Sequence, residues 1–222
     1  MDGNGRWAKK KLLPRLVGHN EGLQSVRKII ECCIKYNINT LTLYAFSTEN
    51  WKRPLKEVEG LLKLFSESIS KESKKIHSNN IKLKFIGDTS IFTEPLQSKI
   101  KEIEKETSRN KRLTLNVALN YGGRLDIVNS VNSFYQNKKN IKKITEKNIN
   151  SGLYTKGQSD VDLLIRTGGQ QRMSNFLLWQ SAYAELYFSK NLWPDFDEKV
   201  FVDALYFFQN TERKFGSIPK ST

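Results

Sequence analysis

Apolar residues recur along this chain in two alternating rhythms. In VRKIIECCIKYN, Val26, Ile29, Ile30, Cys33 and Ile34 fall at helical spacing, and TLTLYAF follows as a β-rich run ending at STENW. Pro54 then opens a second helix, with Val58, Leu62, Phe65 and Ile69 on one face. IKLKFIGD is the next strand, Pro95 to about Arg109 the next helix, LTLNVALNYGG a strand and turn, and Arg124 to about Tyr135 helical again. From Asn137 to Ser151 the chain is rich in Lys, Asn and Ile and reads as a solvated excursion with a short helix near Thr145. VDLLIRTGG is a strand running into a glycine turn, NFLLWQ a helix, AELYFS a strand, and FDEKVFVDALYFFQNTERKFG a terminal helix. Strict alternation of this kind predicts an α/β fold with a largely parallel central sheet flanked by helices. Ligands of such sheets sit at the carboxyl ends of the strands. STENWKRP, NYGGR and RTGGQQRMSN all fall at that edge.

With 222 residues the chain is expected to form one domain, 1–222. Hydrophobic residues make up 38%, and no apolar run approaches the ~18 residues of a membrane span. The net charge of +14 suits a nucleic acid, an anionic membrane or an anionic small substrate. Arginine placement narrows this choice. Arg6, Arg15, Arg53, Arg124, Arg166 and Arg172 lie in or beside loops marked by Gly or Pro, where a planar guanidinium matches phosphate oxygens. Cys32 and Cys33 are adjacent in an apolar helix and read as buried thiols; with only His19 and His77, a histidine-rich zinc site is not expected.

RTGGQQRMSN combines two forked donors, Arg166 and Arg172, with a Gly168-Gly169 turn and Ser174 before the expected helix, which makes it a diphosphate cradle. A plain turn with Ser174 as cap is the competing reading. DGNGRW has the same ingredients plus Asp2, a carboxylate suited to Mg²⁺ against phosphate oxygens. It also fits G-x-G-x-x-A, but no strand precedes it in this chain and no acidic strand end follows at the required distance. The opening residues match neither a secretory signal nor a mitochondrial presequence, and read as the end of an element whose beginning is missing. Asn50 and Trp51 stand at a strand end, and Glu185 is an acid at a strand start, a candidate second metal ligand or a solvent-facing residue. Two anion cradles, a Mg²⁺-type acid and no nucleotide fingerprint point to an enzyme joining two phosphorylated molecules.

Taken together, MDGNGRWAKK, LTLYAFSTENWKRP, IGDTS, LTLNVALNYGGR, RTGGQQRMSNFLLWQSAYAELYF, LWPDFDE and ERKFG resemble the cis-prenyltransferases, the family of undecaprenyl diphosphate synthase, from Met1 to about Gly216. The resemblance implies Mg²⁺-dependent addition of isopentenyl diphosphate units to farnesyl diphosphate with cis double bonds, making a long polyprenyl diphosphate that serves as lipid carrier for cell-wall polysaccharide. It implies a homodimer in the cytoplasm, with peripheral contact at the inner face of the membrane for product release and no nucleic-acid partner. Asp2 matches the essential acid that binds Mg²⁺ and assists departure of the allylic diphosphate. Gly3, Asn4, Gly5 and Arg6 match the loop holding that diphosphate, with Trp7, Arg15 and His19 beside it. Arg166, Arg172, Met173 and Ser174 match the isopentenyl diphosphate site, Glu185 the second metal-linked carboxylate, and Asn50 the proton acceptor. Ser47, Thr48, Glu49, Trp51 and Arg53 match neighbouring contacts, and Glu57 lies on the helix that closes over the site.

An apolar cleft for the growing chain is expected along Leu41, Leu43, Ala45, Leu62, Phe65, Ile69, Leu113 and Leu119, with ordinary core packing competing at each position. Leu119 replaces a smaller alanine of many bacterial relatives and is expected to shorten or reshape that cleft. The resemblance also makes DGNGR the loop after a sheet strand this chain does not contain, whether by a misassigned start or by truncation; truncation would cost activity and stability. Two rivals remain: a basic RNA-binding domain, which lacks an RNP-type motif, and a nucleotide-dependent oxidoreductase, which rests on G-x-G-x-x-A alone.

Overall fold

The helical and extended rhythms become an α/β structure in which every strand pairing is parallel. The computed structural model describes residues 1–137 and 143–214. Strands β1 (Thr40–Ser47), β2 (Ile81–Ile86) and β3 (Leu113–Tyr121) form one sheet in the order β1-β3-β2. Strands β4 (Leu163–Arg166) and β5 (Glu185–Phe188) form a second sheet, with Leu163 level with Glu185 and Arg166 level with Phe188. Parallel neighbours need crossovers long enough to return the chain. Helix α3 (Leu55–Ser78) supplies one between β1 and β2, and α4 (Glu94–Thr107) one between β2 and β3. The other helices are α1 (Asn4–Lys10), α2 (Arg15–Lys35), α5 (Gly123–Asn137), α6 (Glu146–Gly152) and α7 (Glu198–Gln209).

Apolar side chains that alternate along β2 and β3 enter the main core: Ile81 and Leu83 with Leu113 and Leu115. They meet Ile29 and Cys33 from α2 and Ile100 and Ile103 from α4. Trp193, after β5, fastens the second sheet to this core. Its Nε1–H donates to the Gly22 carbonyl on α2 at 2.8 Å, and its backbone N–H donates to the Asp2 carbonyl at 3.0 Å.

The parallel architecture is the expected one, but the sheet is divided. Edge strands β1 and β4 face each other across a cavity of about 1030 Å³, lined continuously by residues 37–45 and 158–167. Three local expectations are corrected. DGNGR is not all loop, since the chain is helical from Asn4 behind Gly3 at φ +115°. NFLLWQ is not a helix: Ser174, Asn175 and Leu177 have φ of 50°, 62° and 44°, which breaks the backbone into successive turns. The terminal helix stops at Gln209, and Phe215 and Gly216 of ERKFG lie outside the described residues, as does part of the Lys/Asn/Ile excursion. The short helix near Thr145 is present, and its capping box pairs Thr145 with Asn148.

Candidate active site

Two of the predicted loops meet at Asp2. Its backbone is pinned at both polar atoms: its N–H donates to Thr167 Oγ1 at 2.9 Å, and its carbonyl accepts from the same hydroxyl at 2.8 Å and from the Trp193 N–H. Its carboxylate lies between two guanidiniums, Arg6 Nη2 at 3.2 Å and Arg166 Nη2 at 3.1 Å. Burial works against the charged carboxylate, yet the hydrogen bond from Arg166 and the charge of Arg6 outweigh it, so the group stays below the usual carboxylate range. Arg6 reaches back through Nη1 to donate to the Gly168 carbonyl at 2.7 Å. Gly168 has φ +87°, and a Cβ there would collide with Arg6 Nη2. Only glycine permits both the turn and the approach of the arginine.

Arg166 joins this loop to the next. Its Nη1 donates to Ser174 Oγ at 2.5 Å and to the Arg172 carbonyl, while Arg172 Nη1 donates to Gln170 Oε1 at 2.6 Å. The left-handed residues after Ser174 aim Asn175 at two other segments. Its carbonyl and Oδ1 accept from the N–H groups of Gly123 and Arg124, closing the start of α5, and its Nδ2 donates to Glu49 Oε1 at 2.8 Å. STENW, NYGGR and RTGGQQRMSN are thereby docked together.

Two arginines and a histidine gather around one carboxylate at the start of α3. Glu57 Oε1 accepts from Arg15 Nη2 at 3.2 Å and Arg53 Nη1 at 3.1 Å, with His19 Nε2 at 3.8 Å. Burial first, then the charges of Arg53 and Arg15, push the His19 pKa down despite Glu57. His19 Nδ1 lies 3.4 Å from Asn4 Nδ2. Asn4 Oδ1, His19 Nε2 and Arg166 Nε are buried without hydrogen-bond partners among the described residues, an arrangement that is costly unless a ligand or water completes it.

Asp2, Asn4, His19, Ser47, Glu49, Asn50, Arg53, Arg166, Arg172, Met173 and Ser174 all line the large cavity. Asn50 is held by its own turn, where its Oδ1 accepts from the Ser47 N–H at 3.1 Å. Gly3, Gly5, Thr48 and Arg15 border this region without lining the cavity. Three other expected residues are placed differently. Trp7 is buried with its Nε1–H donating to Asp195 at 2.7 Å, and packs with Ala8 and Leu192. Trp51 donates to Asn120 Oδ1 at 2.9 Å and packs against Phe46 and Phe92. Glu185 is level with Leu163, three residues short of Arg166 and so about 10 Å down the strand from Asp2's partners; it lies 3.8 Å from Arg213. Within this chain Asp2 and Glu185 are not brought together. Sequence reasoning missed Thr167 and Asn175, and the only sign of either was its place within the arginine and glycine motif.

A second, apolar cavity of about 190 Å³ lies between α2, α3 and the three-stranded sheet, and shares Met1, Leu43 and Ala45 with the large one. Of the expected cleft residues, Leu43, Ala45, Phe65 and Ile69 line it. Leu41 lines the large cavity and Leu62 packs on the core. Leu113 and Leu119 are fully packed core residues that reach neither cavity, so the size of Leu119 does not shape the cleft directly.

With this geometry in place, comparison with known proteins gives a consistent result. A family model described as "Putative undecaprenyl diphosphate synthase" matches residues 1–216. The ditrans,polycis-undecaprenyl-diphosphate synthase ((2E,6E)-farnesyl-diphosphate specific) of Pasteurella multocida is 51% identical over 220 residues, covering 97% of this chain and 92% of that protein. The protein of the same name from Yersinia pseudotuberculosis is 50% identical, covering 97% and 87%. Among solved structures, a probable undecaprenyl diphosphate synthase from Campylobacter jejuni aligns with TM-score 0.81 at 37% identity, over 89% of this chain and 93% of that one. Lavandulyl diphosphate synthase from Lavandula x intermedia, in complex with dimethylallyl diphosphate, aligns with TM-score 0.93 at 32% identity, over 98% and 95%.

Proposed function

This chain belongs to the undecaprenyl diphosphate synthase family and is a cis-prenyltransferase, and on that premise we propose how its residues divide the work of condensing isopentenyl diphosphate units onto farnesyl diphosphate. The observation that carries this reading is a pair of neighbouring cavities that share Met1, Leu43 and Ala45 in their lining: one holds the arginine-rich anion site built around Asp2, and the other is lined mainly by apolar side chains. A diphosphate joined to a prenyl chain has the same two-part chemistry.

The allylic diphosphate is held by the Gly3–Arg6 segment with Arg15, His19 and Arg53, and isopentenyl diphosphate by Arg166, Arg172 and Ser174. In each cycle the allylic C–O bond breaks, a C–C bond forms to the isopentenyl group, and a proton leaves that group. Asn50, fixed by the Ser47 N–H, is the proposed proton acceptor. The guanidiniums offer fixed positive charge where the departing diphosphate accumulates negative charge, and a preorganised site avoids the cost of reorienting solvent. Asp2 suits Mg²⁺, because this ion keeps several waters and is commonly bound by one or two carboxylates plus substrate phosphates. Bound there, Mg²⁺ would neutralise phosphate charge. Glu185 is the proposed second carboxylate, although it lies away from Asp2 within one chain.

The family match over residues 1–216 supports one catalytic domain. A homodimer is proposed on the apolar surface of β5 and α7, where Leu186, Val202, Tyr206 and Phe207 are exposed. No helix among the described residues is long and apolar enough to cross a membrane. The deciding experiment is mass spectrometry of products after incubation with Mg²⁺, farnesyl diphosphate, isopentenyl diphosphate and detergent. A ladder of polyprenyl diphosphates is expected, and no elongation beyond farnesyl diphosphate would overturn the assignment.

A further inference from the structure

The small apolar cavity is limited on one side by the rigid sheet and on the other by the seam between α2 and α3. The two helices run side by side in the same direction, tied by ion pairs at nearly constant sequence offset: Arg15 to Glu57, Arg27 to Glu72 and Glu31 to Lys75. Over the cavity itself, Val26 and Ile30 from α2 and Phe65 and Ile69 from α3 face the void. Polar ties across this stretch come from the last two pairs: Arg27 Nη2 to Glu72 Oε1 at 2.5 Å and Lys75 Nζ to Glu31 Oε1 at 3.0 Å. All four side chains line the cavity and are also solvent-accessible.

The size of the cavity makes the seam important. Pockets for ordinary small ligands run roughly 300–1,000 Å³, whereas this one holds about 190 Å³. A chain lengthened by successive isoprene units outgrows this volume, so its growth presses on the walls. The sheet is held by parallel ladders and a packed core, while the helical seam is held at this point by apolar packing of Val26, Ile30, Phe65 and Ile69 and by two accessible ion pairs. Each further unit therefore works against the attraction between Arg27 and Glu72 and between Glu31 and Lys75.

We propose that these two ion pairs act as an electrostatic latch that sets the length of the polyprenyl product. Arg27, Glu31, Glu72 and Lys75 are specificity-determining residues that touch no diphosphate. The inference rests on the prenyltransferase reading above and adds to it a property of the α2–α3 seam.

The test compares product-length distributions of wild type, Glu31→Gln/Glu72→Gln and the charge swap Glu31→Lys/Lys75→Glu at low and high salt. Each protein is first checked for an unchanged melting temperature. The neutralised variant is expected to raise the ratio of the longest products to the next shorter ones by about fivefold, the scale two partly exposed ion pairs support. Wild type at ~1 M salt, where the Debye length is about 3 Å, should shift in the same direction. The neutralised variant should be insensitive to salt, and the swap should restore the wild-type distribution because attraction, not residue identity, holds the seam. Products of unchanged length from the neutralised variant, or an altered distribution that the swap fails to restore, would overturn the latch while leaving the activity assigned. No elongation by wild type would overturn the parent reading and the latch with it.

Discussion

Replacing Thr167 by valine tests how Asp2, the proposed catalytic acid, is held. The substitution keeps the shape of a side chain that is 1% exposed and removes one hydroxyl that donates to the Asp2 carbonyl and accepts from the Asp2 N–H. The carbonyl keeps the Trp193 N–H at 3.0 Å, so the loss falls mainly on the Asp2 N–H. Stranding one buried backbone donor costs about 1–3 kcal/mol. For a chain of this size each kcal/mol lowers the melting temperature by about 2–4 °C, giving an expected fall of about 2–12 °C. Function should suffer more than stability, because an ångström of displacement of a reacting group can cost ~100-fold in rate. Calorimetry and steady-state turnover on Thr167→Val and Thr167→Ser measure both effects, and the serine variant should recover most of each. A valine variant with wild-type turnover and a melting temperature within about 1 °C of wild type would refute the idea that Thr167 fixes Asp2.

Gly168→Ala should destabilise the protein by about 1–3 kcal/mol and raise the KM for diphosphate substrates, since it meets both a left-handed backbone and the Arg6 guanidinium. Gly169→Ala, also left-handed but with its nearest neighbour 4.0 Å away, should be milder in denaturant titrations; equal effects would mean that contact with Arg6 is irrelevant. Because the Asp2 pKa is depressed in the folded state, its charge stabilises the fold above the unfolded value of about 3.9, and this contribution is lost as pH falls through the still lower folded value. The stability gap between wild type and Asp2→Asn should therefore be full near neutrality and close in acid, with turnover lost at all pH values; a gap independent of pH would remove Asp2 from the ion-pair cluster. Glu57→Gln should tighten binding of inorganic diphosphate by about two- to fivefold in calorimetric titration, because a competing carboxylate no longer occupies Arg15 and Arg53. Weaker binding would show that Glu57 orients those arginines more than it competes for them.

Elements whose fate depends on local pattern were legible in the sequence. Pro54 followed by spaced apolar residues became α3, alternating runs became β1 to β3, and Thr145 became a helix cap with Asn148 as its partner. Elements decided by distant contacts were not. NFLLWQ has the composition of a helix, but Asn175 is drawn away to close the start of α5, and the left-handed residues this requires break the helix. Helix α1 forms without any side-chain cap, its entry set by a left-handed glycine against Leu192. Within the site, arginines and glycines were recognisable from their loops, because phosphate chemistry favours those residue types. Trp7 and Trp51 were expected as contacts because their motifs match those of the family, and each donates its indole N–H to an internal acceptor. Leu119 packs in the core rather than along either cavity, a placement that residue size alone does not reveal.

The divided sheet also bears on how the molecule opens. Within the described residues no backbone ladder joins β1 to β4, so the two sheets are coupled through side chains and through isolated hydrogen bonds such as those of Trp193 rather than through a continuous ladder. Amide protons of β3, paired on both sides, should then exchange at a rate set by global unfolding, while those of β4 and β5 exchange through a separate, cheaper opening. Arg166 and Thr167, which hold Asp2, belong to the more easily opened unit. Asp2 is thus supported from the part of the fold expected to open first, and a ligand bridging Arg6 and Arg166 would merge the two exchange classes into one.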